Sequence, residues 1–396
     1  MDRAAETLVL VMPIGLTLDD WQRYGLLERD WNLIGRLGPS FEHVVIVFQS
    51  GGPRETILQS LTRLADGRFG VSVLFAIDGK SSDLASNIRQ RTPAGSRVVI
   101  RTDQLTAGPT AIAIRNDLLA QGFRAALITR GGYLWSRFAA AEFGPDSIQA
   151  KHASEAERSL CRAANLIVGT TAEMVNDLCW RYRIETSRTT VIPNFVVAPE
   201  NIRTSAEREP GLIVSAGALV ARKRIERLID AVAALDDELR SKVTLEIIGD
   251  GPEEANLRHH AESLNAPVRF LPPLSYPDLI ERLGRCLVYA QASSMEGHPK
   301  AVIDAMACGA VPVVADSPGL GSLIRTGSTG VLVPSGDPAD FANAFTGLLS
   351  DTDWCDLLGG SAARTTAATL GIERIAAMEL DAIQRVLAST PRINAA

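Results

Sequence analysis

Five cysteines in 396 residues are too few, and too scattered, for a disulfide framework. Cys161, Cys179, Cys286, Cys308 and Cys355 form no Cys-x-x-Cys pair and no Cys/His metal spacing, so they read as reduced thiols of a cytoplasmic protein. Long apolar runs are missing too. The opening MDRAAETLVLVMP has an apolar stretch too short for a secretory core, and nothing later approaches a membrane span. There is no basic stripe: residues 1–200 hold 22 Lys and Arg against 21 Asp and Glu, residues 201–396 hold 18 against 25, and the net charge is −6. That balance excludes a nucleic-acid footprint and a polybasic lipid anchor, leaving any peripheral membrane contact to a few arginines of the first half. No Gly-x-Gly-x-x-Gly follows the first strand of either half, which weakens the case for a dinucleotide oxidoreductase.

What the chain does have is alternation. Short β-branched runs (LVLVM, HVVIVF, RVVIR, AALIT, NLIVG, then LIVSAG, VTLEIIGD, LVYAQ, VPVVA, GVLVP) are separated by segments of helical spacing. In RIERLIDAVAAL, for instance, Ile225, Leu228, Ile229, Val232 and Leu235 form one apolar stripe. Strand and helix in turn predict an α/β chain of parallel sheets covered by helices on both faces. The rhythm breaks at the polar APENIRTSAEREPG, which places a domain boundary near 198–210. The expected division is 1–200, 206–372 and a terminal helix, 373–396, free to return to the first domain. Two doubly wound domains bind ligands at the carboxyl ends of their strands, so a cleft between them is the expected site.

Three loops stand out. In SSMEGHPKAVIDAMACG, a strand (286–290) runs into a loop carrying Glu296, Pro299 suits a first helical position, and Gly309 suits the end of the helix. Asp304 lies among Val302, Ile303, Ala305, Met306, Ala307 and Cys308, so its carboxylate needs a donor. Either Lys300, one turn back, supplies it, or a ligand does; a lysine in the first turn opposes the helix dipole, and an anionic ligand there reconciles the two. In GALVARKRIERLI, Arg222, Lys223 and Arg224 crowd a strand-to-helix turn, as a diphosphate site or as solvated cations. EIIGDGPE is a tight turn exposing backbone groups, and GSTGVLVPSGD is a turn entering an edge strand.

In this order and spacing the pieces resemble the donor-binding domain of retaining glycosyltransferases of family 4, over roughly residues 165–350 and including VIPNF. The resemblance implies a GT-B fold, two facing Rossmann-like doubly wound domains with a central cleft, the first binding acceptor and the second a nucleoside-diphosphate sugar. It implies catalytic roles for Lys223, on the diphosphate, and Glu296, on the sugar hydroxyls. Gly217, Arg222, Arg224, Gly249, Asp250 and Gly251 join the donor site from the two turns, and Gly297, His298, Pro299, Lys300 and Asp304 from the third loop, with Asp304 on the ribose. Two departures stand out: the family's second acid is normally glutamate, and its arginine after the strand glycine is here Ala218. RTDQLTAGPTA and TRGGYLWSRFAAAEF are similar to acceptor-domain segments of a subgroup and nominate Arg101, Asp103, Arg130 and Tyr133.

The implied chemistry is transfer with retention, the leaving phosphate helping to take the acceptor proton, with no cofactor and no metal. The implied acceptor is a glycan or lipid-linked saccharide in polysaccharide biosynthesis, at the cytoplasmic side. The same fold also accommodates a sugar-nucleotide epimerase or a non-catalytic nucleotide-sugar-binding scaffold.

Overall fold

The computed structural model describes residues 6–76, 81–93, 96–334 and 336–389. The chain divides into two compact units. One takes in Met1–Gln22, Arg29–Pro193 and Glu373–Ala396, the other Arg23–Glu28 and Asn194–Ile372.

The first unit is built on seven strands: β1 (Glu6–Val11), β2 (His43–Phe48), β3 (Gly70–Phe75), β4 (Arg97–Thr102), β5 (Arg124–Gly131), β6 (Leu166–Gly169) and β7 (Thr189–Val191). They lie parallel in the order β3-β2-β1-β4-β5-β6-β7. The second unit has six: β8 (Leu212–Ala216), β9 (Thr244–Ile248), β10 (Val268–Leu271), β11 (Val288–Gln291), β12 (Val311–Ala315) and β13 (Val331–Val333). These are also parallel, in the order β10-β9-β8-β11-β12-β13. In each sheet the winding direction reverses once, between β1 and β4 and between β8 and β11. Helices diverge to opposite faces there and leave an opening at the strand ends.

Helices on both faces explain the uninterrupted apolar character of the central strands, which have no solvent side. The stripe Ile225, Leu228, Ile229 and Val232 packs on one face of the second sheet with Ile213, Leu245, Val288 and Val311. On the other face Val302, Ala305 and Met306 meet Val214 and Val314. The strands without an obvious sequence signal, β3, β7 and β10, are edge strands, and most of their residues are only half-buried.

The polar stretch expected to mark the boundary, 198–210, is instead packed into the second unit. Arg208 is 6% exposed and donates to the carbonyls of Cys286 at 2.7 Å and Cys308 at 2.9 Å. Apart from the short excursion Arg23–Glu28, the chain passes between units at Pro193/Asn194 and again at Ile372/Glu373. Inside the second unit these crossings are neighbours, with Val196 N–H on Leu370 O (2.8 Å) and Ile372 N–H on Val196 O (3.0 Å). The terminal helix Ile372–Ser389 carries Glu379 into the first unit, where it is fully buried. Among the described residues no helix is long and apolar enough to cross a membrane.

Candidate active site

The reversal between β8 and β11 brings together the loops after those strands, and glycine makes the approach possible. Gly217 N–H donates to Ile248 O (2.9 Å) and Leu219 N–H to Asp250 O (2.8 Å), so the turn after β8 is laced to the turn after β9. Gly249 and Gly251 have φ of +141° and +157°, and a Cβ on either would sit 2.1 Å from Gly217 O or 2.4 Å from Leu219 O. No side chain fits there. The GDGP turn is thus a backbone clasp for the cationic loop, and Asp250 turns its carboxylate to Arg23, 2.6 Å away. Arg224 closes the turn in a left-handed conformation (φ 49°, ψ 42°) ahead of the helix Ile225–Ala233.

The clasped loop aims Arg222 and Lys223 at the loop after β11. Lys223 Nζ lies 2.7 Å and Arg222 Nη1 2.9 Å from the same oxygen, Glu296 Oε1, which also accepts from Gln291 Nε2 at 2.9 Å. Burial would raise the Glu296 carboxyl; the charges of Lys223 and Arg222 outweigh it and hold the group below its ordinary value. The backbone is fixed independently: Glu296 N–H donates to Pro318 O (2.8 Å) and Ser294 N–H to Arg222 O (3.0 Å). Two cations on one carboxylate leave an excess positive charge beside a recess lined by Ser215, Ala216, Gly217, Ala218, Lys223 and Gln291. Gln291, 3% exposed, is the residue that the sequence reading missed; the signal was an amide closing the apolar run LVYAQ.

The helix after Glu296 spans Lys300–Ala307, with Pro299 as its N-cap rather than its first residue and Gly309 just past its end at φ +74°. Asp304, 2% exposed, takes the local alternative: Lys300 Nζ pairs with Oδ1, and Tyr276 Oη donates to that oxygen at 3.1 Å. The Lys300 pair weighed from the sequence is therefore formed, and Tyr276 adds a second donor from another helix. Lys300 also stands 5.0 Å from the ring centre of Phe195 and 5.2 Å from that of Tyr276. His298 accepts at Nδ1 from Asn194 N–H (3.3 Å), and its carbonyl accepts from Asn194 Nδ2 (2.7 Å). The VIPNF segment therefore braces the loop that carries Gly297 and His298.

In the first unit Arg101 and Arg130 converge on one carboxylate, with Asp103 near enough to feel both charges. Arg101 and Arg130, 4% and 6% exposed, both bind Glu379: Arg101 Nη2 at 2.9 Å and Arg130 Nε at 2.8 Å to Oε1, and Arg101 Nε at 3.1 Å to Oε2. They fasten the terminal helix, which corrects their assignment to an acceptor. Neutral strand ends would have left Glu379 a buried, uncompensated charge. Asp103 is half-buried at the other reversal point, its carboxyl raised by burial and by the charge of Asp30, while Arg101 and Arg130 pull it back in part. Tyr133 is half-buried with its ring 4.5 Å from that of Phe138. Among the described residues no group of three or more His, Cys, Asp or Glu side chains is placed to hold a metal ion.

Comparison with known proteins bears on the same region. Residues 198–364 match the family described as glycosyl transferases group 1. A D-inositol 3-phosphate glycosyltransferase of Streptomyces bingchenggensis is 27% identical over 60% of this chain and 56% of its own length. The lipopolysaccharide core biosynthesis glycosyltransferase LpsE of Rhizobium meliloti is 30% identical over 56% of this chain and 62% of its own. The chain thus spans less than two thirds of these relatives. Among solved structures, Anabaena HepE in complex with UDP and glucose superposes with a TM-score of 0.72 at 16% identity, covering 96% of this chain and 99% of that one. A sucrose-phosphate synthase from Thermosynechococcus elongatus gives 0.68 at 17%, covering 97% and 100%. At such identities the likeness speaks for the fold, which is GT-B. The second unit of this chain carries a domain of the glycosyl transferases group 1 family.

Proposed function

We propose that the chain is a glycosyltransferase that moves a sugar from a nucleoside-diphosphate sugar to a hydroxyl of a glycan or lipid-linked acceptor, with retention at the anomeric carbon. The observation that carries this reading is the convergence of Lys223, Arg222 and Glu296 at the reversal point of the second sheet. As the sugar leaves, negative charge grows on the departing diphosphate. Lys223 and Arg222, positioned before reaction on a loop clasped by Gly249 and Gly251, stabilise that charge with little reorganisation. Glu296 orients sugar hydroxyls, and the helix start at Lys300 adds amides and a positive field. Asp304, held by Lys300 and Tyr276, accepts from ribose hydroxyls through its remaining acceptor capacity. The acceptor proton passes to the leaving phosphate, so no protein base is needed at that step and no cofactor takes part.

Support for the donor comes from HepE, whose solved complexes contain UDP and UDP-glucose. Support for a saccharide or lipid-linked acceptor comes from LpsE, a lipopolysaccharide core enzyme by name. The cytoplasmic assignment rests on unpaired thiols, and peripheral membrane contact through the first unit belongs to the same reading.

The test is a thermal-shift panel of UDP, GDP, ADP, CMP and NAD. A ligand at 100 times its Kd adds about 2.7 kcal/mol, a rise of about 5–10 °C for a unit of this size. One nucleoside diphosphate standing out, with the shift lost in Lys223→Ala, supports the reading. A shift with NAD alone overturns it, and nucleotide binding without turnover on any acceptor leaves a binding scaffold.

A further inference from the structure

We infer that Glu296 is an internal competitor for the anion site, holding the phosphate-binding cations until a diphosphate displaces it. The inference rests on the donor-site reading above and goes beyond it. Glu296 Oε1 receives two charged donors and one neutral one at 2.7–2.9 Å, a set that suits a phosphate oxygen as well as a carboxylate oxygen. The carboxylate therefore already occupies a place that an incoming phosphate oxygen would need.

The backbone around this cluster is fixed, and the exchange concerns its side chains, Arg222 among them, whose Nη1 also donates to Met295 O at 2.7 Å. Leu219 N–H is held by Asp250 O, Glu253 N–H by Leu219 O, and Lys223 N–H by Val220 O, so the cationic loop stays put while its side chains re-pair. The opposing loop is pinned by Glu296 N–H on Pro318 O, and Gly319 fits beneath it because a Cβ there would lie 2.2 Å from Glu296 O. The exchange is thus a matter of rotamers, within the reach of fast side-chain motion. The cations stay accessible: the side chain of Arg222 is 25% exposed and that of Lys223 16%, against 9% for Glu296.

Exchange has a consequence for selectivity. When a diphosphate takes Lys223 and Arg222, the Glu296 carboxylate keeps the neutral donors Gln291 and Ser293 but loses both charged partners, and a nearly buried acid in that state gains from new donors. Sugar hydroxyls on the intact donor are such donors; the spent nucleoside diphosphate brings none. The same residue then favours the intact donor over the product and speeds product departure.

Isothermal titration of wild type and Glu296→Gln with UDP, GDP and ADP tests this. The amide keeps the shape but holds the cations weakly. The diphosphate that binds wild type binds Glu296→Gln about tenfold more tightly, equivalent to about 1.4 kcal/mol. The unliganded variant melts lower while its ligand-induced rise in melting temperature is larger, a pairing that a merely structural ion pair would not produce. Glu296→Asp, which retracts the carboxylate but keeps its charge, supplies the second variant and binds no more tightly than wild type. If a diphosphate binds wild type and Glu296→Gln binds it equally or more weakly, the competitor role is wrong while the donor site stands. If none of the three binds either protein, the donor-site reading fails and the inference with it.

Discussion

Glu379→Gln tests the assignment of Arg101 and Arg130 to the fold. The carboxylate is fully buried and accepts three bonds, two from Arg101 and one from Arg130, whose own exposures are 4% and 6%. An amide supplies one oxygen and turns an NH2 donor toward a guanidinium, so two buried cations lose their compensation. Removing one partner of a buried pair costs about 3–5 kcal/mol. A unit of this size moves about 2–4 °C per kcal/mol, so the melting temperature falls by about 6–20 °C in differential scanning calorimetry. The control lies on the same helix: Glu373, 78% exposed, meets Arg36 at 2.7 Å, and Glu373→Gln shifts the midpoint by about 4 °C at most, because exposed pairs contribute about 0–1 kcal/mol. Burial alone would raise the Glu379 carboxyl; the two guanidiniums prevail and hold it below its ordinary value of 4.5. A carboxyl depressed in the folded state contributes stability above its unfolded-state value and loses it as pH falls through the folded one. The gap between wild type and Glu379→Gln is therefore full at neutral pH and closes in acid below 4.5. A fall no larger than that of Glu373→Gln at pH 7, or a gap that widens in acid, would refute the buried-clamp assignment.

Lys223→Ala lowers kcat about 100- to 1000-fold, equivalent to about 2.7–4 kcal/mol, and a steady-state value within threefold of wild type removes Lys223 from the chemistry. Asp304→Asn strands the Lys300 ammonium and weakens the Tyr276 contact. Melting and nucleotide affinity both fall, whereas a loss of melting temperature with unchanged affinity confines Asp304 to structure. Burial pushes the Cys161 and Cys286 thiols up to about 12 and Cys355 up to about 11, and Cys179 alone is part-exposed. An aromatic disulfide at pH 8 therefore titrates at most one thiol quickly in the native protein, and rapid reaction of three contradicts the packing.

The central strands and the meeting of the loops after β8 and β11 were legible because their signals are local. A β-branched run buried on both faces looks the same in sequence as in space, and Lys223 and Glu296 each stand in the loop that follows such a run. Edge strands such as β10 (VRFL) escape because one neighbour and a partly wet face impose no continuous apolar pattern. Arg101 and Arg130 looked like ligand groups because their partner is 278 and 249 residues away. The clue lay in the terminal helix, where Glu379 falls at helical spacing between Ile375, Ala376, Ala382 and Ile383, a charge on a buried stripe that only a distant cation could satisfy. The Lys300–Asp304 pair was visible at one-turn spacing, but Tyr276, which completes it, comes from another helix.

The Glu379 clamp also sets an order of events during synthesis. Arg130 leaves the ribosome 249 residues before its carboxylate, a wait of roughly 12–50 s at about 5–20 residues per second. Through that interval the first unit lacks the Glu379 carboxylate that two of its interior arginines bind, while nearly all of the second, residues 194–372, is being made. The half that begins the chain is thus the half that finishes last, and a nascent chain stopped short of Glu379 carries its defect in the part made first.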